Sequence, residues 1–352
     1  MPTMIGCVHC AHRHAENRRV DILTWRSTVG IMLAFALALV VPWVAVAQQP
    51  VNVPRIGVLM PALNPERTRN LAAFRDALRD LGWVEGQHLA MEYRFAEHGL
   101  EQYPELAADL VRSKADVLVV GGGAPAVRAA REATSTIPIV MVSGGGVLEA
   151  GLIDSLATPG GNITGTVSVQ PDLMARRLKI LKETLPGMSR LSILVTPRHR
   201  GDSALQDTQH AAQAMGMALH VQEVRSPDEF QSAFAAMQQA GAEALFVPAD
   251  SVLLERHVPN LTALALQHRL PAMYSHRMYI DAGGLMYYGA NLREFYRRTA
   301  YYIDRILKGT KPADLPVEMP WKFELVLNVK TAQAMGLTLP PTLLFQADEI
   351  IQ

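Results

Sequence analysis

The run Val119-Val120-Gly121-Gly122-Gly123-Ala124-Pro125-Ala126 is the first place where residue type and spacing could do chemistry. Read as Gly121-x-Gly123-x-x-Ala126, it matches a dinucleotide-binding fingerprint, whose glycines let the backbone approach a pyrophosphate. That fingerprint belongs to the first strand-to-helix turn, and a carboxylate must end the following strand to hold the ribose. Here the glycines follow the third apolar run, and the next run ends at Val142-Ser143-Gly144, with no acid. A nicotinamide site is therefore not expected. Two readings of the glycines stand. Either they serve only a tight turn into a helix, or the N–H groups of Gly123, Ala124 and Ala126 face an anion. In the second case the helix dipole adds about 0.3–1 kcal/mol. Pro125 fits as the first helical residue, where its missing N–H costs nothing.

Other candidates sit after apolar runs in the same way. Ser143 could donate its hydroxyl to a carboxylate or cap a turn. Asn64, in MPALNPER, could present a polar group or be a turn residue before Pro65. Arg198, in the cluster Arg198-His199-Arg200, could pair bidentately with a carboxylate, or the cluster could be a solvated loop. Asp250 is the best acid for an ammonium group. Tyr274 could stack on a ring or cation, or pack in a core. Tyr287 and Tyr288 alternate along one run, so at most one faces a site.

Constellations for catalysis are missing. Ser143 lies in MVSGG rather than a G-x-S-x-G elbow, no H-E-x-x-H occurs, and the glycine run lacks a Walker lysine. Cys7-x-x-Cys10 with His12 and His14 has a zinc-like look, but the spacing from Cys10 to His12 is too tight for a finger. These are the chain's two cysteines, so the remainder has no thiol for catalysis or metal binding. No cofactor and no metal are expected. With 33 basic and 33 acidic residues, there is no electrostatic case for nucleic acid.

The first fifty residues differ from the rest. Arg18, Arg19 and Arg26 precede an uncharged stretch with an apolar run over Val29–Val41, a break at Pro42, and Ala45-Val46-Ala47 before Gln48. This is the layout of a secretory signal peptide over residues 1–47 with an overlong start, and a retained membrane anchor is the competing reading. Cleavage would leave a protein that is exported and not membrane-embedded.

The elements that must position the candidates follow from the pattern. After Gln49, short apolar runs alternate with longer amphipathic ones, the signature of parallel α/β structure. Strands are expected over Arg55–Pro61, His88–Phe95, Asp116–Val120 and Ile137–Val142, with helices over Pro65–Leu81, Glu101–Arg112 and Ala124–Thr134. The turn-rich ATPGGNITGTVSVQ, residues 157–170, reads as a crossing, after which the alternation restarts. Strands then follow over Leu191–Val195, Ala218–Val224, Ala244–Val247, Pro271–Ser275, Gly284–Tyr288 and Phe323–Leu327. Helices follow over Ser203–Met215, Asp228–Gln239, Leu253–His268, Leu292–Leu307 and Lys330–Met335. A length of 352 residues suits two such modules, and ligands of open α/β sheets bind at the carboxyl ends of strands.

Several segments carry a resemblance. IPIVMVSGG, GLIDSLATPGGNITG, ALALQHRLPAMY, the long block from Asp281 to Pro341 and the closing LLFQADEII resemble the ABC-transporter substrate-binding protein family. Many members are described as tryptophan- or tyrosine-type binding components. The resemblance spans about residues 53–352. It implies a periplasmic binding protein type I fold: two Rossmann-like lobes joined by a three-segment hinge, closing on a small organic ligand such as an amino acid or other carboxylate. It also implies a solute-binding protein rather than an enzyme, in the periplasm, as a monomer. An ABC permease with a separate ATPase subunit would be its partner. A ligand-sensing partner of a membrane receptor is the alternative reading, which the sequence does not separate from transport, and an enzyme on the same two-lobed fold is the less favoured one. The lobes are expected over 53–166 plus 284–315 and 167–283 plus 316–352. Three turns depart from the family: Gly123-Ala124-Pro125 where Thr often precedes Pro, Gly144-Gly145-Gly146 where Gly-Asp-Pro is common, and Asp250-Ser251-Val252-Leu253-Leu254 where Asp-Pro and phenylalanines are common. All three lie in turns expected to face the ligand, so they weaken the transfer of any particular ligand, aromatic amino acids and other small carboxylates remaining the leading ones that the resemblance implies.

Overall fold

Residues 53–168, 172–197, 203–248, 252–319 and 321–352 are described by a computed structural model. The leader, Arg198 and Asp250 lie outside the described residues. Val53–Gln352 form one compact unit.

The apolar runs become strands because both of their faces are covered. In β1 (Arg55–Pro61), Ile56, Val58 and Met60 go to one core and Leu59 to another, the period of two that a strand imposes. Helix α1 (Pro65–Asp80) follows, then β2 (Ala90–Ala96), α2 (Tyr103–Arg112), β3 (Val117–Gly121), α3 (Gly123–Ala133), β4 (Ile139–Val142) and β5 (Ile163–Gly165). These five strands form one parallel sheet in the order β2-β1-β3-β4-β5.

The second sheet has seven strands. The chain runs α4 (Leu173–Thr184), β6 (Arg190–Val195), α5 (Ser203–Ala214), β7 (Ala218–Glu223), α6 (Phe230–Gln239), β8 (Ala244–Val247), α7 (Val252–Arg256) and α8 (Val258–Gln267). It continues through β9 (Ala272–Tyr274), α9 (Met278–Asp281), β10 (Met286–Ala290), α10 (Leu292–Leu307), β11 (Phe323–Asn328), α11 (Val329–Met335), α12 (Pro341–Gln346) and β12 (Glu349–Ile351). The order is β12-β11-β10-β9-β8-β6-β7, parallel except where β11 meets β10. The same alternation divides its side chains. Phe246, Met273, Met286 and Tyr288 join the core under α4, while Leu245, Val247, Tyr274 and Tyr287 join the opposite one.

The chain crosses between the sheets three times: between β5 and α4, between β10 and α10, and between Glu318 and β11. The expected boundaries need two corrections. The segment 284–290 was assigned to the first lobe, but β10 pairs with β9 and β11 and so belongs to the second sheet. The switch comes one residue later, at Asn291, whose side-chain oxygen accepts from Glu294 N–H (3.3 Å) and caps α10. Helix α10 then buries Phe295, Tyr296, Ala300, Tyr302 and Ile303 in the first half's core. At the third crossing, residues 316–318 remain with the first half. Val317 N–H donates to the Leu156 carbonyl (2.7 Å), and Glu318 bridges Thr166 at the edge of the five-stranded sheet.

Smaller differences have local causes. The expected helix over Leu253–His268 is two helices meeting at His257, two residues before Pro259, whose ring cannot accept an unbroken helical turn. Strand β5 is three residues inside a turn-rich segment, too short to show an alternation.

Candidate functional site

Helix α1 begins at the carboxyl end of β1 because Asn64 caps it. Its Oδ1 accepts from Arg67 N–H at 2.7 Å, and Pro65 opens the helix, where no N–H is needed. The cap orients the first turn across the gap between the two halves. Asn64 Nδ2 lies 3.5 Å from Met278 Sδ, and the Glu66 carboxylate accepts from Met278 N–H at 3.1 Å. Arg67 holds the Ala62 carbonyl and reaches Glu255 of α7 at 3.5 Å. On the far side of Glu255 stands His276 Nε2, at 3.6 Å. That is beyond hydrogen-bond reach, and this buried nitrogen has no hydrogen-bond partner among the described residues.

These residues line one cleft, of about 280 Å³ including its mouth: Asn64, Glu66, Arg67 and Asn70 from α1, Leu292 and Tyr296 from α10, and Glu255, His276 and Met278 from the second half. Its walls come from both sheets, at the carboxyl ends of β1, β9 and β10. Glu66 and Asn70 are buried, and the Arg67 and Glu255 side chains are mostly so. Tyr296 closes the floor, and burial pushes its phenol up to about 12, so it stays neutral in ordinary conditions. An anion between two potential cations, walled by a methionine and a tyrosine, can order a small zwitterion or cation by charge. One ion pair and one hydrogen bond also tie the halves: Arg69 to Asp281, and Arg256 to the Glu97 carbonyl.

The other sequence candidates fall as follows. Gly122 and Gly123 both take left-handed backbone, φ 111° and 69°, and turn the chain from β3 into α3. A Cβ on Gly122 would run into the Tyr103 hydroxyl. The Ala124 N–H, considered for an anion, donates instead to the Gly145 carbonyl at 2.9 Å, because the turns after β3 and β4 pack against each other. Pro125 is the third residue of α3, not the first. Ser143 has φ 54°, unusual for serine, and is held there by its N–H to Thr166 Oγ1 (3.1 Å) and by Gly144 N–H to the Thr166 carbonyl (2.8 Å). Its hydroxyl makes no hydrogen bond among the described residues. Asn64 and Ser143 thus both stand at strand ends, while the lining of the cleft includes only Asn64.

Tyr274 is corrected to a core residue. It is 1% exposed and stacks on Tyr279, rings 4.6 Å apart and 13° from parallel. Burial drives its phenol well above the normal range. Its place in β9 sends it to the core opposite α4, so it does not reach the cleft. Sequence reasoning missed Glu66, Arg67, Glu255, His276 and Met278. Glu66 and Arg67 follow Asn64 directly, and His276 follows the end of β9, so position at strand ends was the available signal.

Residues 55–351 match the model of the ABC transporter substrate binding protein family. The chain belongs to that family. A tyrosine-binding protein of Clostridioides difficile is 23% identical over 283 residues, covering 80% of this chain and 81% of that one. Among solved structures, a conserved domain protein from Vibrio cholerae superposes with a TM-score of 0.77 at 24% identity, covering 85% of this chain and 100% of that one. The ABC domain from Streptococcus pneumoniae in complex with L-Trp gives 0.76 at 24% identity, over 85% and 99%. The architecture is that of the periplasmic binding proteins of type I. The family consists of solute-binding proteins rather than enzymes, and a small-molecule ligand and a transporter permease go with it. No helix among the described residues is long and apolar enough to cross a membrane.

Proposed function

We propose that this protein is the exported solute-binding component of an ABC importer, capturing an amino acid, aromatic or otherwise, or another small carboxylate between its two halves and delivering it to the permease. The observation that carries this reading is the cleft lined from both halves, with polar groups on each side, in a chain that crosses three times between the two sheets. A ligand touching both walls binds the shut form better than the open one, and only such a preference can drive closure. A micromolar ligand has about 8 kcal/mol to divide between capture and closure. The relatives that carry tyrosine and tryptophan in their names support an amino acid here. The leader would direct export and be removed before Gln48, and Asn64, Gly123, Ser143, Arg198 and Asp250 remain the proposed contacts from the strand ends. The closed form would dock on a permease whose ATPase is a separate subunit.

The test is thermal unfolding of the purified protein with L-tyrosine, L-tryptophan, other amino acids and small organic acids. A true ligand at a hundred times its Kd stabilises by about 2.7 kcal/mol, several degrees in Tm. If no member of the panel raises Tm at saturation, the proposed ligand class is wrong.

A further inference from the structure

Arg177, on α4 just after the first crossing, carries a charge that no described residue answers with an ion pair. Only 8% of the residue is exposed. Its Nε donates to the Tyr288 carbonyl at 2.8 Å, and its guanidinium lies over the Phe246 ring, 5.6 Å from the centroid. No carboxylate pairs with it among the described residues, and Nη1 and Nη2 take no hydrogen bond there. Glu324, on the neighbouring β11, is committed elsewhere: it accepts from Asn291 at 2.8 Å and lies 4.0 Å from Arg277.

The position of the group is as telling as its burial. Phe246 is on β8 and Tyr288 on β10, the two neighbours of β9. Tyr287 pairs with Tyr274, the last residue of β9, so Tyr288 is one step beyond that strand's end. The guanidinium therefore spans the carboxyl rim of the second sheet above β9, where ligands of open α/β sheets bind. Arg177 is the fifth residue of α4, near the helix end whose dipole favours an anion and opposes a cation. Burial pulls its pKa down to about 10, yet the group stays charged at neutral pH. A buried cation without a counter-charge is costly, and arginine cannot escape by losing its proton. The bond to Tyr288 and the ring beneath it hold the fork rigid and leave the Nη edge for a planar, two-oxygen acceptor.

We propose that Arg177 anchors the carboxylate of the captured ligand. This deepens the solute-binding reading and rests on it. The site takes acids: amino acids or other carboxylates, held by a bidentate pair on the second half before the first half closes over them.

Calorimetry of the purified protein with L-tyrosine and L-tryptophan, each against its decarboxylated amine, tyramine or tryptamine, tests it. The wild-type protein is expected to prefer the acid about 100-fold. Arg177→Met is expected to abolish that preference by weakening the acids about 100-fold more than the amines, and Arg177→Lys to keep part of it, since one ammonium replaces the fork. Should Arg177→Met fail to fold, the acid-against-amine comparison on the wild type still reads the claim. An Arg177→Met protein that keeps the preference, or a wild type that takes amines as well as acids or takes no acid, overturns the role of Arg177. Native mass spectrometry of the freshly purified protein separates the two failures. A co-purifying neutral or cationic solute keeps the solute-binding reading while the anchor falls, and an empty protein that binds no probe sinks both.

Discussion

Gly122 answers the question that the glycine run raises. Its left-handed φ turns the chain at the end of β3, and the Tyr103 hydroxyl occupies the space a side chain would need. The run is glycine-rich because the backbone must double back under a neighbour, which composition alone could not separate from a phosphate cradle. Gly122→Ala is expected to cost about 2–4 kcal/mol, adding overpacking to the left-handed penalty. Gly309 has a similar φ, 96°, with open space around it, so Gly309→Ala is expected to cost only about 1–2 kcal/mol. Urea unfolding of both variants checks the difference, and equal losses would show that Tyr103 simply moves aside. Tyr279 gives the opposite expectation. Its hydroxyl is buried without a hydrogen-bond partner among the described residues, and burial first, then Glu255 and Tyr274, push its phenol far up. Removing an unpaired buried polar group relieves its desolvation cost, so Tyr279→Phe is expected to stabilise by about 1 kcal/mol. A clear loss of stability in the same measurement would mean that the hydroxyl is satisfied after all.

Helix α10 shows what the pattern could and could not say about elements. Its length was legible in full, Leu292–Leu307, from apolar residues at helical spacing. Its polar tie was not: Asp304 accepts from Trp83 Nε1–H at 2.9 Å, a partner 221 residues away, and from Lys308 at 2.6 Å. Burial opposes ionisation of Asp304, but Lys308 and the Trp83 indole outweigh it and hold the carboxyl below its ordinary range. A depressed folded pKa stabilises above the unfolded value, about 3.9, and the gain is lost as pH falls through the folded one. Asp304→Asn is therefore expected to cost about 1–2 kcal/mol at pH 7, with the gap to wild type closing below about pH 4. A gap independent of pH in thermal unfolding would assign the loss to packing. Most strands were equally legible, since β1, β3, β6 and β8 are apolar runs covered on both faces. The lobe to which β10 belongs was not, because an antiparallel partner, β11, arrives only after a whole helix in the other half. Nor was the inward face of Tyr274, since alternation gives two faces without saying which one meets a cleft.

At the scale of the molecule, hydrogen bonds and ion pairs tie the two halves among the described residues. Met278 N–H to Glu66, Arg67 to Glu255, Arg69 to Asp281 and Arg256 to the Glu97 carbonyl hold them together. Such a seam suits a protein that must both shut and reopen, because its polar groups can return to water each time. Arg69 is about half exposed, so its pair contributes little. Arg67 and Glu255 are enclosed, at 16% and 22% exposure, and Glu255 also faces His276, so the seam depends mainly on this acid. Glu255→Gln removes the charge and keeps the shape. It is expected to weaken the shut form by about 1.4 kcal/mol relative to the open one, a tenfold shift in their ratio. Small-angle scattering of the ligand-free variant should then give a larger radius of gyration than wild type, saturating ligand should restore the compact size, and Kd should rise by up to about tenfold. The pairing of size with affinity is what identifies a latch. A variant that binds more weakly yet matches the wild-type dimensions, with and without ligand, would place Glu255 against the ligand itself and leave closure to the remaining contacts.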